Sequence, residues 1–368
     1  MARLVPVGFD DLEGWLQDNH AAALAAFQQT AARALKQPFK TRGLGVPSEH
    51  FEACFSAALA LNDVNDERAR SFFEHFFLPH CIELNTVGKA ADGQQGFLTG
   101  YFEPVVSASR LRTDQYCEPI YARPPDLVDV DDTNRPDNWP ADMRFARQTR
   151  SGLNQYADRA AINAGALAGQ GLEIAYVANR VEAFFIHVQG SACLMFGDGS
   201  STRITYAAKS GHAYTSLGRE LIHRLGVTPQ DMTADRLKDW MLGHPEELDD
   251  LLAINRSYIF FKELRDLDPD KGPVGAAKVQ LTTGRSLAVD RTLHTYGSPV
   301  WVASEKSLPG EQDGFARLMV AQDTGSAIVG PARGDIFMGS GNKAGLLAGK
   351  VQLPVDMYVF VPRSDGMR

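Results

Sequence analysis

The last hundred residues constrain the fold most. They break into short apolar or β-branched runs, AAKVQLTTG, RSLAVD, SPVWVAS, ARLMVAQD, SAIVG, GDIFMG and DMYVFVP, most of them divided by Gly or Pro. Runs of that length with such separators predict at least six strands. No helix-length interval alternates with them, so a small β-barrel is favoured over a doubly wound parallel sheet, which needs a crossover helix between successive strands. Within this region Ala321–Gly349 places Asp323 and Asp335 among Gly, Ser and Ala. Small neighbours leave room for a bulky substrate, and the apolar flanks Ile336 and Phe337 make a raised pKa expected for Asp335. For Asp323 in DTGS an ordinary Asx turn competes with a functional role.

Upstream, Leu12, Leu16, Ala23 and Phe27 fall near helical spacing, and FEACFSAALAL and ARSFFEHFF extend a mixed apolar periodicity. The first 90 residues therefore predict a helical layer, with His75, His80 and Cys81 along a helix. The character changes at Gly96, and a domain crossing is expected near Pro104. From Gly171 to Tyr206 the chain reads as consecutive strands, LEIAYVA, VEAFFIHVQ, CLMF and TRITYA, joined by tight turns. LGRELIHRLG and ADRLKDWMLG predict two helices, and NRSYIFFKEL another strand.

Composition removes several classes of function. A net charge of -8 and no Lys/Arg cluster argue against nucleic acid as a partner. Cys54, Cys81, Cys117 and Cys193 form no CxxC pair and are expected as buried thiols, and nine histidines show no metal-ligand spacing, so no metal is expected. MARLVPVGFDDLEGW turns acidic before an apolar h-region develops, and no run approaches a membrane-spanning length, so neither an export signal nor a lipid-attachment Cys is read. GSGNKAG imitates a phosphate loop but stands too near the end for a βαβ unit. GxSxG is absent, and Ser191 reads as a turn residue rather than a nucleophile. A surplus of sugar-gripping groups remains: Tyr101, Phe102, Tyr206, Tyr214, Tyr258 and Trp301, with Thr99, Gln189, Asn255 and Arg203. The competing reading of those aromatics is core.

Six segments in order carry a resemblance: FLTGYFEPV at 97–105, FFIHVQGSA at 184–192, SGHAYTSLGREL at 210–221, NRSYIFF at 255–261, LAVDRTLHTYGSPVWV at 287–302, and AQDTGSAIVGPARGDIFMGSGNKAG from Ala321. From about residue 96 onward the chain resembles the MltA family of lytic murein transglycosylases, its last part resembling the domain named for three aspartates, here Asp290, Asp323 and Asp335.

The resemblance implies a mainly β fold with α. A double-psi β-barrel would be formed by 1–104, with its helices, and 263–368; a β-rich domain would be inserted at 105–262, and a glycan groove would lie between the two. It implies Asp335 as sole catalytic acid and base, with Asp323 in support. Binding of substrate falls by resemblance to Thr99, Gly100 and Tyr101, to Gln189, Gly190 and Ser191, to Tyr214 and Ser216, and to Asp290, Gly339 and Gly341. Implied partners are peptidoglycan glycan strands and cell-wall enzyme complexes, with a monomer in the periplasm or at the outer membrane and no cofactor. Two other readings stay open: an inverting glycoside hydrolase using Asp323 and Asp335 as a pair, and a non-catalytic peptidoglycan-binding protein.

Overall fold

The computed structural model describes residues 2–84, 96–140, 143–228, 231–265, 267–268 and 270–363. The chain divides into two compact units, Met1–Phe102 with Leu267–Arg368, and Glu103–Asp266. The first unit begins with β1 (Ala2–Pro6), α1 (His20–Ala34), α2 (Phe51–Ala60), α3 (Asp66–Phe76), β2 (Phe77–Leu84) and β3 (Gly96–Glu103). The second holds β4 (Val105–Ala108), β5 (Glu118–Tyr121), β6 (Leu127–Asp129), β7 (Phe145–Thr149), β8 (Gly152–Asn154), α4 (Arg159–Asn163) and β9 (Glu173–Val177). It continues through α5 (Arg180–Gln189), β10 (Ser191–Phe196), β11 (Ser201–Lys209), α6 (Leu217–Leu225), α7 (Ala234–Gly243), α8 (Leu248–Ile254) and β12 (Ile259–Leu264). The chain then returns to the first unit as β13 (Ser286–Val289), β14 (Pro299–Ser304), β15 (Phe315–Asp323), β16 (Arg333–Ser340), α9 (Asn342–Ala348) and β17 (Gln352–Pro362).

In the first unit the strands run β1-β2-β17-β14-β15-β13-β16-β3, and β17 also pairs with β3. That last pairing, with Gln352 opposite Thr99, joins the two ends of six strands into a ring of hydrogen bonds. Closure leaves those six without a free edge, the usual remedy for exposed backbone donors and acceptors. Strands β13, β14 and β15 are almost wholly buried, so they read as apolar runs rather than alternating ones.

Helix α1 starts where Asn19 accepts from the Ala22 amide at 2.9 Å, and it packs on α2, α3 and β15. Its Phe27 ring lies 5.1–6.0 Å from those of Phe55, Phe72, Phe73 and Phe77, an apolar anchor between helices and sheet. Buried Gln322 secures the same contact, donating to Ala26 O at 2.9 Å and to Thr30 Oγ1 at 2.7 Å. The helix thereby braces the residue before Asp323.

In the second unit the described strands form sheets β12-β11-β10-β4, β5-β9 and β6-β7-β8. Helices α6 and α7 occupy the segments expected of them. Among the described residues no helix is long and apolar enough to cross a membrane.

Several expectations fail for identifiable reasons. VEAFFIHVQ is helix α5, not a strand: Asn179 accepts from the Glu182 amide, Glu182 accepts from Ala178, and Gly190 closes the end. Two cores bury it at once, one holding Ala183 and Ile186 and the other Val181 and Phe184, which erases the one-sided apolar stripe that marks a helix in sequence. The N-terminal region is not wholly helical, since β1 and β2 add to the sheet and place His80 and Cys81 on a strand while His75 stays in α3. Five strands rather than six follow Leu267 among the described residues. AAKVQLTTG folds instead as a loop with a lone bridge between Val274 and Gln280, and SAIVG is a turn in which Val329 is exposed. All four cysteines are free, but only Cys54 is buried and Cys117 is exposed.

Candidate active site

Strand register brings the two aspartates together. Ala288 on β13 stands opposite Asp335 on antiparallel β16 and opposite Asp323 on parallel β15, where the register shifts after Leu287. Partners directly across a sheet share a face, so the carboxylates flank one alanine, with Cα atoms two strand spacings, or roughly 9–10 Å, apart.

Strand β3 supplies the partners. Thr99 Oγ1 donates to Asp335 Oδ1 at 2.6 Å, and Tyr101 OH donates to Asp323 Oδ2 at 2.8 Å. Alternate residues of a strand point the same way, so Thr99 and Tyr101 reach the two acids from one face of one strand. The Ala276 amide donates to the other oxygen of Asp323 at 2.9 Å. Arg333 Nη2 donates to Thr99 Oγ1 at 2.8 Å.

The two carboxyls differ in their electrostatics. Asp335 keeps some surface access, yet enclosure of its carboxyl raises its pKa from 3.8 to about 6; the Thr99 hydrogen bond and the Arg333 charge oppose this, and the Asp323 charge adds to it. Burial also pushes Asp323 up, against hydrogen bonds from Ala276, Thr324 and Tyr101 and the charge of Lys278. Tyr101 is held well above its ordinary value by burial and by Asp323, and so stays a donor. One acid is thus poised near the pH range where it exchanges a proton, while the other is tied down at both oxygens.

The remaining expected residues take definite places. Asp290 binds loop backbone: Oδ1 accepts from the Thr292 amide at 2.9 Å and hydroxyl at 2.6 Å, and Oδ2 accepts from the Gly330 amide at 2.9 Å. Burial raises its pKa, but the Thr292 and Gly330 bonds outweigh that and leave it below the ordinary value. Asp290 therefore fastens the loop after β13 to the loop before Asp335. Asp290→Ala is expected to destabilise the protein by about 2–4 kcal/mol, since three donors lose a charged acceptor; urea denaturation measures this, and an unchanged midpoint would refute the bracing role.

A Cβ on Gly100 would stand 3.0 Å from Ala348 Cα and 3.0 Å from Val351 Cγ2, so this glycine lets the end of α9 lie against β3. Gly339 and Gly341 adopt φ of 106° and 86° where β16 turns into α9, a backbone shape that L side chains avoid. In the second unit Gln189 ends α5, Gly190 caps it, and buried Ser191 opens β10. Ser216 caps α6 by accepting from the Arg219 amide at 3.3 Å, and Tyr214 is 38% exposed. Tyr258 and Trp301, candidates for sugar contact, are core residues at 2% and 0% exposure. Asn255 is buried and accepts from the Thr215 and Ser257 amides, and Arg203 pairs with Glu103.

Arg333 and the Ala276–Lys278 loop escape a reading of the sequence. Arg333 had a usable signal, standing two residues before Asp335 and hence on its face of β16. Ala276 had none, because its contribution is a backbone amide from a loop 47 residues away.

The chain is similar to proteins of one known family. Residues 97–262 match the MltA specific insert domain and residues 285–361 the 3D domain. The chain is 34% identical to membrane-bound lytic murein transglycosylase A of Escherichia coli K12 over 258 residues, which cover 68% of this chain and 61% of that protein. It is similar to the crystal structure of a membrane-bound lytic murein transglycosylase from Agrobacterium tumefaciens, with 41% identity, a TM-score of 0.90 and 98% of each chain covered. Against E. coli MltA with bound chitohexaose the identity is 26% and the TM-score 0.68, covering 97% of this chain and 94% of that one. With the insert domain and the C-terminal 3D domain both matched, the chain belongs to the MltA family.

Proposed function

We propose that this protein is a lytic transglycosylase, cleaving the β-1,4 bond between N-acetylmuramic acid and N-acetylglucosamine in peptidoglycan and leaving 1,6-anhydromuramic acid ends. One observation carries the reading: of two enclosed carboxyls, Asp335 has a pKa raised to about 6 while Asp323 accepts hydrogen bonds at both oxygens. Protonated Asp335 gives its proton to the glycosidic oxygen as the bond to the muramic C1 breaks and oxocarbenium character develops. The ionised carboxylate then takes the proton of the C6 hydroxyl as that oxygen bonds to C1. Proton and electron pairs balance with neither water nor a second carboxylate. The attacking hydroxyl belongs to the reacting sugar, so its entropy of approach is already lost.

Asp323 supports this acid electrostatically. Its negative charge favours the protonated form of Asp335, and in the proposed reaction a charge of that sign offsets the positive charge developing at C1. An inverting hydrolase needs a second carboxylate free to take a proton from water, a role at odds with an Asp323 that accepts from Tyr101 and Ala276 at both oxygens.

We assign the six-strand ring of the first unit to a double-psi β-barrel, with exolytic action by a monomer in the periplasm or at the outer membrane. Digestion of purified peptidoglycan followed by mass spectrometry of the muropeptides tests the reaction. Anhydro ends are expected, with turnover falling as pH rises through about 6 because the starting acid must be protonated. Reducing ends carrying an added water would refute transglycosylation, and chitohexaose serves as a defined binding probe.

A further inference from the structure

The hydrogen bonds around Thr99 have a direction. Arg333 carries only donors, so at the 2.8 Å contact with Thr99 Oγ1 the hydroxyl oxygen must accept. Its own hydrogen must go elsewhere, and among the described residues the acceptor in reach is Asp335 Oδ1 at 2.6 Å. A carboxyl oxygen already accepting so short a bond is the poorer seat for the proton of the neutral acid. We infer that Arg333 is a positioning residue which, acting through Thr99, commits Asp335 Oδ1 to accepting and leaves the transferable proton on Oδ2. The inference rests on the reading of Asp335 as the acid.

Arg333 is itself held in place. Its Nη1 donates to the Phe97 carbonyl at 3.3 Å and to the Gly334 carbonyl, and its guanidinium stands 5.4 Å over the Phe97 ring. Those contacts lie on β3 and β16, the two neighbouring strands that carry Thr99 and Asp335, so the donor, the relay and the acid are held by one strand pair. The charged and titratable groups facing Asp335 are Arg333 on its own strand, Tyr101 on β3 and Asp323 on β15, with Lys278 acting on Asp323 from the adjoining loop. Arg333 favours the ionised form of Asp335 and Asp323 the protonated one. In the reaction Oδ2 both gives the proton to the glycosidic oxygen and takes one back from the C6 hydroxyl, so a settled proton seat serves both transfers.

Arg333→Met, Arg333→Lys and Thr99→Val separate this relay from a merely structural role. Arg333→Met is expected to lower kcat roughly ten- to a hundredfold with little change in KM. It should also move to higher pH both the descending limb of kcat and the Asp335 carboxyl titration, followed by carbon-13 NMR of aspartate-labelled protein. Arg333→Lys, which keeps charge and donor, should recover most of both effects. Thr99→Val should reproduce the loss, and adding Arg333→Met to it should change little more, since the two act in series. Equal losses in the Met and Lys variants, an unmoved carboxyl titration in the Met variant, or additive losses in the double variant would each overturn the relay. Thr99→Val leaves Arg333 on its strand contacts and keeps the test open if Arg333→Met does not fold. Missing anhydro products from the wild type would instead remove the transglycosylase reading, and the titration would still report on the relay.

Discussion

Asp335→Asn is expected to abolish turnover, by roughly four orders of magnitude, and to make the folded protein more stable at neutral pH. The first effect follows from the proposed mechanism, in which one carboxyl serves both proton transfers and no second group substitutes for it. The second follows from linkage. An acid whose pKa is about 6 in the fold and about 3.9 unfolded binds its proton more tightly in the folded state. Its contribution is therefore fully present below about pH 4 and is lost as pH rises through about 6, to the extent of about 2–3 kcal/mol at pH 7. An uncharged Asn escapes that loss. Denaturant midpoints should show the variant above the wild type at pH 7 and the two converging near pH 4. Wild-type activity in Asp335→Asn would remove Asp335 from its role. An equal stability difference at both pH values would show that its ionisation is not penalised by the fold.

Breaking the Asp18–Arg285 pair is expected to cost about 3–5 kcal/mol, because each single replacement strands the other charge out of water. The two side chains are 4% and 8% exposed and bond in fork geometry, both N–O distances being 2.8 Å. Asp18 also accepts from the Leu318 amide at 2.9 Å, and Arg285 donates to the Leu318 carbonyl at 2.8 Å. The pair therefore ties Asp18, two residues before α1, Arg285, just before β13, and the middle of β15 into one joint. Since β13 and β15 set the register of Ala288, Asp323 and Asp335, Asp18→Ala should lower activity as well as stability. Asp18→Leu with Arg285→Met, an apolar pair of similar bulk, should recover most of the stability. A single replacement costing under about 1 kcal/mol in urea denaturation would refute the buried-charge account.

Local chemistry was legible where one residue type had one physical explanation. The last five strands and the α6 and α7 helices showed through apolar runs, caps and Gly or Pro punctuation. Asp335 stood out because apolar flanks raise a carboxyl pKa by burial, and the fold does raise it. Helix α5 did not show, because burial between two cores removes the stripe that distinguishes a helix from a strand. Tyr258 and Trp301 misled for a related reason, since an aromatic that packs a core and one that stacks on a sugar are the same letter in a sequence.

The sequence by itself determined the family, the aspartates and the strand-rich character of the C-terminal region, all of which reside in local motifs and apolar spacing. Only the tertiary structure decided what each acid contacts. Thr99, Tyr101 and Ala276 reach the carboxylates across strands and loops separated by up to 236 positions, Arg333 donates to Thr99, and Asp290 proves to be engaged with loop backbone. A carboxylate's proton affinity depends on what surrounds it in space, and that is set by strand register and closure rather than by the residues beside it in the chain.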